Sequence, residues 1–281
     1  MLRPFLSLVV AAVGTVAGLS LTWLGATAHA RATMTLTADP GALVLAAVGI
    51  LLLAVAAYSL AIHWVGILVV GAVHALLGLL ALVVPFGNPF GGGIFSPVFQ
   101  ISGMLTSLDP TLGDGSRVFF FSGTALLVGA FLVGAALGVR SRRLAGPSSR
   151  KSVAVSSGLG AVTLLAATAL LVVAGGSFVR MILVAFKYDA ALAALTVVGG
   201  VLAGLAGLLL RWSSVGVLVA GGITLAAGIL FFVAPGTMPG SPGDLIWGYG
   251  LAMVAGATFL AAAAGGIVRG PDEVPERADA L

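Results

Sequence analysis

The chain contains no cysteine, which excludes a disulfide framework, a thiolate metal site and a cysteine nucleophile. Charge is almost as scarce, with 13 Lys and Arg and 9 Asp and Glu among 281 residues. A soluble domain carries about a quarter of its residues charged, so a soluble globule is excluded. Asparagine occurs once, at Asn88, and histidine three times. Hydrocarbon is what the chain has in quantity: 60% of residues are hydrophobic, 41 more are glycine, and the mean hydropathy is +1.20. Disordered chains are poor in apolar residues, so that class falls too. The solvent is lipid.

Charge-free apolar runs of about 20 residues predict transmembrane helices. Eight can be drawn, over 4–25, 41–62, 65–85, 118–139, 153–174, 190–210, 215–234 and 246–268. Lys and Arg in the short connections set the orientation. With the N-terminus inside, the cytoplasmic side collects Arg3, Arg140, Arg142, Arg143, Arg150, Lys151, Arg211, Arg269 and Arg277, and the outer side Arg31, Arg117, Arg180 and Lys187. Both termini are therefore expected in the cytoplasm. The pI of 10.1 reflects these loop cations and implies no nucleic-acid partner. The eleven Arg against two Lys suggest a GC-rich bacterial source, hence a bacterial cytoplasmic (inner) membrane. Arg3, the first apolar run and Ala28-His29-Ala30 also resemble a secretory signal with its cleavage site. The length of that run argues for a retained first span.

Laid on itself at an offset of 150, the chain matches without gaps across two consecutive spans. Gly66, Gly71, Gly78 and Pro85 meet Gly216, Gly221, Gly228 and Pro235, and Asp39 and Gly49 meet Asp189 and Gly199. Biased composition produces chance Leu, Val and Ala matches more readily than paired Gly, Pro and Asp in register. The expected fold is thus an all-α integral membrane protein of two tandem four-helix repeats. An even number of spans per repeat makes them parallel, about a pseudo-two-fold along the membrane normal. The expected divisions are 1–139, a basic cytoplasmic linker 140–151, the second repeat 152–269, and a polar cytoplasmic tail 270–281.

The outer loop 86–117 reads as an interfacial flap or as a re-entrant segment, the latter tolerable only if protein covers its backbone. Residues 177–190 read as an outward extension of the sixth helix. Arg180 and Lys187 would share one face of it, where they could hold anionic lipid headgroups.

Candidate chemistry is sparse. No Asp, Glu, Lys or Arg falls inside a span, which argues against a proton-coupled pump, a voltage sensor and a carboxylate ion site. His74 lies deep in the third span with Thr224 as its repeat partner, a candidate intramembrane polar site. A lone histidine cannot make a metal site, and a hydrogen bond to a neighbouring helix is the expected use. Ser122 with His74 lacks the glycine and the orienting acid of a serine hydrolase site. Gly91-Gly92-Gly93 lacks the Lys of a phosphate loop. No catalytic residue, cofactor or metal is expected. Small-xxx-small pairs such as Gly14/Gly18, Gly134/Gly138 and Gly200/Gly204 predict close helix packing, and Trp23, Trp64, Trp212, Trp247 and Tyr249 read as aromatic belts. The function that fits is a non-enzymatic accessory or scaffold subunit that packs against lipid, another membrane protein or a second copy. The alternative is a carrier or channel for an uncharged or lipidic substrate.

Overall fold

The structure, a computed structural model, describes residues 2–37, 39–85, 96–142, 150–234 and 243–268. Every regular element among them is helical: α1 Leu2–Met34, α2 Pro40–Tyr58, α3 Trp64–Val83, α4 Pro97–Leu108, α5 Pro110–Phe121, α6 Thr124–Arg142, α7 Arg150–Leu170, α8 Gly176–Leu183, α9 Ala190–Leu208, α10 Val215–Val233, α11 Asp244–Gly248 and α12 Leu251–Val268. Among the described residues eight helical segments are long and apolar enough to cross a bilayer, as a multi-pass membrane protein requires. Pro235, residues 143–149, Arg269 and the tail 270–281 lie outside the described residues.

Local chemistry accounts for the helix starts. Asp39 accepts from Ala42 N at 3.0 Å, Ser96 from Val98 N at 3.3 Å, Asp109 from Thr111 N at 2.6 Å and Asp189 from Ala191 N at 2.9 Å. In the first three, proline follows at the first helical position, where its missing N–H costs nothing. At the opposite ends, α2 and α9 tighten into 3₁₀ turns, Ser59–Ala61 and Leu209–Arg211.

Packing places α6 and α12 at the centre, with 72% of each apolar window buried against 33–50% for the other six. On one side α1 packs on α2 and α3, and α3 on α6. On the other α7 packs on α9 and α10, and α10 on α12. The sides join through α6 against α9 and α12 against α2. Glycine makes the close approaches. A Cβ at Gly66 would overlap the Ser7 carbonyl oxygen, and one at Gly216 that of Ser157. The peripheral helices turn Val, Leu and Ile outward, among them Val44, Val48 and Leu51 of α2 and Val198, Val201 and Leu205 of α9.

Several boundaries differ from the hydropathy reading. The first span continues nine residues past Gly25, to Met34, because Thr27 and His29 find polar partners inside the protein. The fifth span runs on through a π-helical turn, Leu171–Gly175, into α8. Arg180 therefore extends the fifth helix and not the sixth, and Lys187 lies in the following connection, so the two do not share a helical face. The fourth span is broken at Ser122–Gly123. Gly123 has φ +80°, a conformation glycine adopts without steric cost, so residues 118–121 belong to α5. Gly250, at φ +64°, sets α11 off from α12 in the same way. The described part of the outer loop is not irregular: it forms the helical hairpin α4–α5, which packs on α1, α3, α6 and α8. Trp23 is no belt residue. It is buried, with its ring 5.7 Å from that of Phe119.

Candidate functional site

Helix α3 brings His74 to the inner side of the bundle near mid-span. Its Nδ1–H donates to Val70 O of its own helix at 2.8 Å, not to a neighbouring helix as expected, since the preceding turn presents a carbonyl within reach. A carbonyl only accepts, so Nδ1 carries a proton. The imidazole meets Phe119 of α5 edge-on at 6.1 Å. It lines a small cavity of about 20 Å³ together with Thr15 of α1, Phe119 and Thr258 of α12. That volume holds about one water molecule. The Thr258 hydroxyl donates back to Val254 O at 2.7 Å.

Thr224 does not join this site. It is buried on α10 away from the cavity, and its hydroxyl has no hydrogen-bond partner among the described residues. Ser122 is likewise engaged elsewhere, with its hydroxyl 2.8 Å from that of Thr124 and 3.2 Å from Phe119 O. Among the described residues no three His, Asp or Glu side chains converge.

The polar contacts that hydropathy could not reveal gather where α1 and the hairpin meet the second half of the chain. His29 is buried, and its Nε2–H donates to Phe232 O of α10 at 2.9 Å with the two rings 4.5 Å apart. Arg31 pairs with Asp114 of α5 at 2.9 Å, and Arg117 stands 3.6 Å from the same carboxylate. Burial, and then the Asp114 carboxylate, push the nearby Tyr249 phenol up from its ordinary value, with Arg31 acting against them. Arg180 pairs with Asp244 at the start of α11. The signal for His29 was present in Ala28-His29-Ala30, where a histidine continues an apolar helical face.

At the opposite face Arg142 donates to three backbone carbonyls, Leu210 O, Arg211 O at 3.2 Å and Gly266 O at 2.9 Å. It thereby ties the ends of α9 and α12 to α6. Arg140 stacks on Trp64 at 4.7 Å, and Arg211 on Trp212 at 5.1 Å.

No family model matches the chain, and neither a curated protein nor a solved structure is similar to it.

Proposed function

We propose that the protein is a non-enzymatic accessory or scaffold subunit of a bacterial cytoplasmic membrane, packing against lipid or other membrane proteins. The filled centre of the bundle carries the reading. Its two central helices are the most buried, and the cavity beside His74 admits about one water, while the periphery is apolar. A channel or a carrier that encloses its substrate would need a path through that centre.

The reading includes a duplication. At the 150-residue offset, α2 and its 3₁₀ turn correspond to α9 and its turn. The left-handed Leu36 (φ 54°) corresponds to Phe186 (φ 51°), and the contact of Gly66 with Ser7 to that of Gly216 with Ser157. The shorter second outer loop makes the offset 127 for the last span, where Gly123 corresponds to Gly250. The joints α6–α9 and α12–α2 are interchanged by the same operation. These correspondences support two four-helix units related by a pseudo-two-fold along the membrane normal.

Purification of the tagged full chain in gentle detergent, followed by mass spectrometry, tests the function. A membrane partner near equal stoichiometry supports the scaffold. A partner-free chain that moves a fluorescent lipid between the leaflets of reconstituted vesicles would replace it with the carrier.

A further inference from the structure

The two joints of the bundle are built from corresponding helices, yet one is closed and the other open. In the α6–α9 joint, Gly200 stands where a Cβ would lie 2.7 Å from Leu126 Cγ, and one at Gly134 would overlap Gly204 O. Backbones meet there because side chains are missing. In the α12–α2 joint the corresponding positions are Ala261, Ile50 and Ala54. These side chains hold the helices apart. The result is a groove of about 590 Å³ between α2 and α10, floored by α12 and lined almost wholly by hydrocarbon.

Length and charge identify what fills it. Along α10 the groove runs from Leu218 to Ile229 and along α12 from Met253 to Ala264, about 16 Å at 1.5 Å per residue. That is about half of the ~30 Å hydrocarbon core, the depth of one leaflet. A partner's transmembrane helix seated there would leave about half of its span outside the groove. One end, at Leu218 and Ala264, lies within about one helical turn of the face that carries Arg3, Arg140, Arg142, Lys151 and Arg211. No acid lies on that face among the described residues, all of whose acids (Asp39, Asp109, Asp114, Asp189 and Asp244) lie at the other.

We infer that this groove binds one acyl chain of an anionic phospholipid, whose headgroup rests on the basic face. The inference rests on the chain spanning a membrane and not on the scaffold reading.

The test uses the full chain reconstituted in phosphatidylcholine vesicles that contain phosphatidylglycerol with a photoactivatable diazirine in its acyl chain. In parallel, the same diazirine is carried by phosphatidylcholine. Mass-spectrometric mapping should place adducts on Ile50, Leu225 and Leu260 well above those on the lipid-facing Val198 and Val201 of α9. Phosphatidylglycerol should label the groove about five-fold more than phosphatidylcholine, the attraction expected of one well-placed cation near an anionic headgroup. Ala54→Phe should abolish groove labelling and leave α9 labelling unchanged. Ala47→Phe, on the exposed lip of α2, gives the same readout should the first variant fold poorly. Equal labelling of the two faces, or groove labelling that survives both fillings, would overturn the site. Equal labelling by the two lipids would overturn the anionic assignment, and an unlabelled groove with a co-purifying protein would assign it to a partner instead.

Discussion

At the residue scale, the polar side chains that matter act as joints more readily than as chemistry. His74 satisfies its N–H within its own helix, so removing it breaks no bond between helices. Polar contacts in bilayer interiors are worth about 0.6 kcal/mol on average and up to about 2. His74→Thr installs what position 224 already carries, and its thermal midpoint in detergent should stay within a few degrees of the parent; a folded variant that has lost a measurable activity would instead make His74 functional. Tyr249 offers a pH-dependent readout. Its pKa is raised in the folded protein by burial and by Asp114, so the unfolded chain ionises first as pH rises. The stability it supports is intact below the ordinary tyrosine value and lost as pH climbs through the raised one. Tyr249→Phe should flatten the alkaline limb of the stability profile, measured as melting temperature against pH, and leave the neutral region unchanged. An alkaline limb as steep as the parent's would rule out this source.

At the scale of elements, glycine decides how closely helices meet, and its effect differs by position. Gly66 and Gly216 face the carbonyls of Ser7 and Ser157, whereas nothing stands within 4 Å of a Cβ at Gly222. Gly66→Ala and Gly216→Ala should each cost about 1–3 kcal/mol through overpacking. Gly222→Ala should be neutral or gain up to about 1 kcal/mol from reduced backbone freedom. Chemical denaturation of the three variants checks the order, and equal effects would mean that these contacts do not hold the helices. The spans themselves were legible in the sequence, because hydrocarbon thickness imposes a length that hydropathy reads directly. Their ends were not. Thr27, His29 and Arg180 continue helices because partners elsewhere in the fold, Thr111, Phe232 and Asp244, absorb their polarity. The hairpin α4–α5 left readable traces in Ser96-Pro97 and Asp109-Pro110, the same pattern as Asp39-Pro40, but its apolar run resembles a loop lying on lipid. The candidate site was half legible. His74 stands out as a histidine within a span, whereas the cavity around it needs side chains from α1, α5 and α12 that no spacing in the sequence brings together.

For the whole molecule, the distribution of charge bears on topology more strongly than any single site. The face with Arg140, Arg142, Lys151 and Arg211 holds cations without acids among the described residues, and at the other Arg31 and Arg180 are paired with Asp114 and Asp244. It is the count of Lys and Arg in short loops, and not their pairing with acids, that favours the cytoplasmic side, and the sequence places nine at the first face against four at the other. Reporter fusions after Ala145 and after Leu281 should therefore both read inside, and an outside reading at either position would refute the eight-span arrangement with both termini in the cytoplasm. The same logic predicts how the orientation can be weakened. Arg142 is kept, because it caps the ends of α9 and α12. Changing Arg140, Arg143, Arg150 and Lys151 to Gln leaves five cations on the face proposed as inner, Arg3, Arg142, Arg211, Arg269 and Arg277, against four on the other. With the bias almost removed, the fusions should report a mixture of orientations, seen as partial activity of both an inside-active and an outside-active reporter at each position. A variant that keeps the parent's full inside signal would mean that the order of helix insertion, and not loop charge, sets the topology.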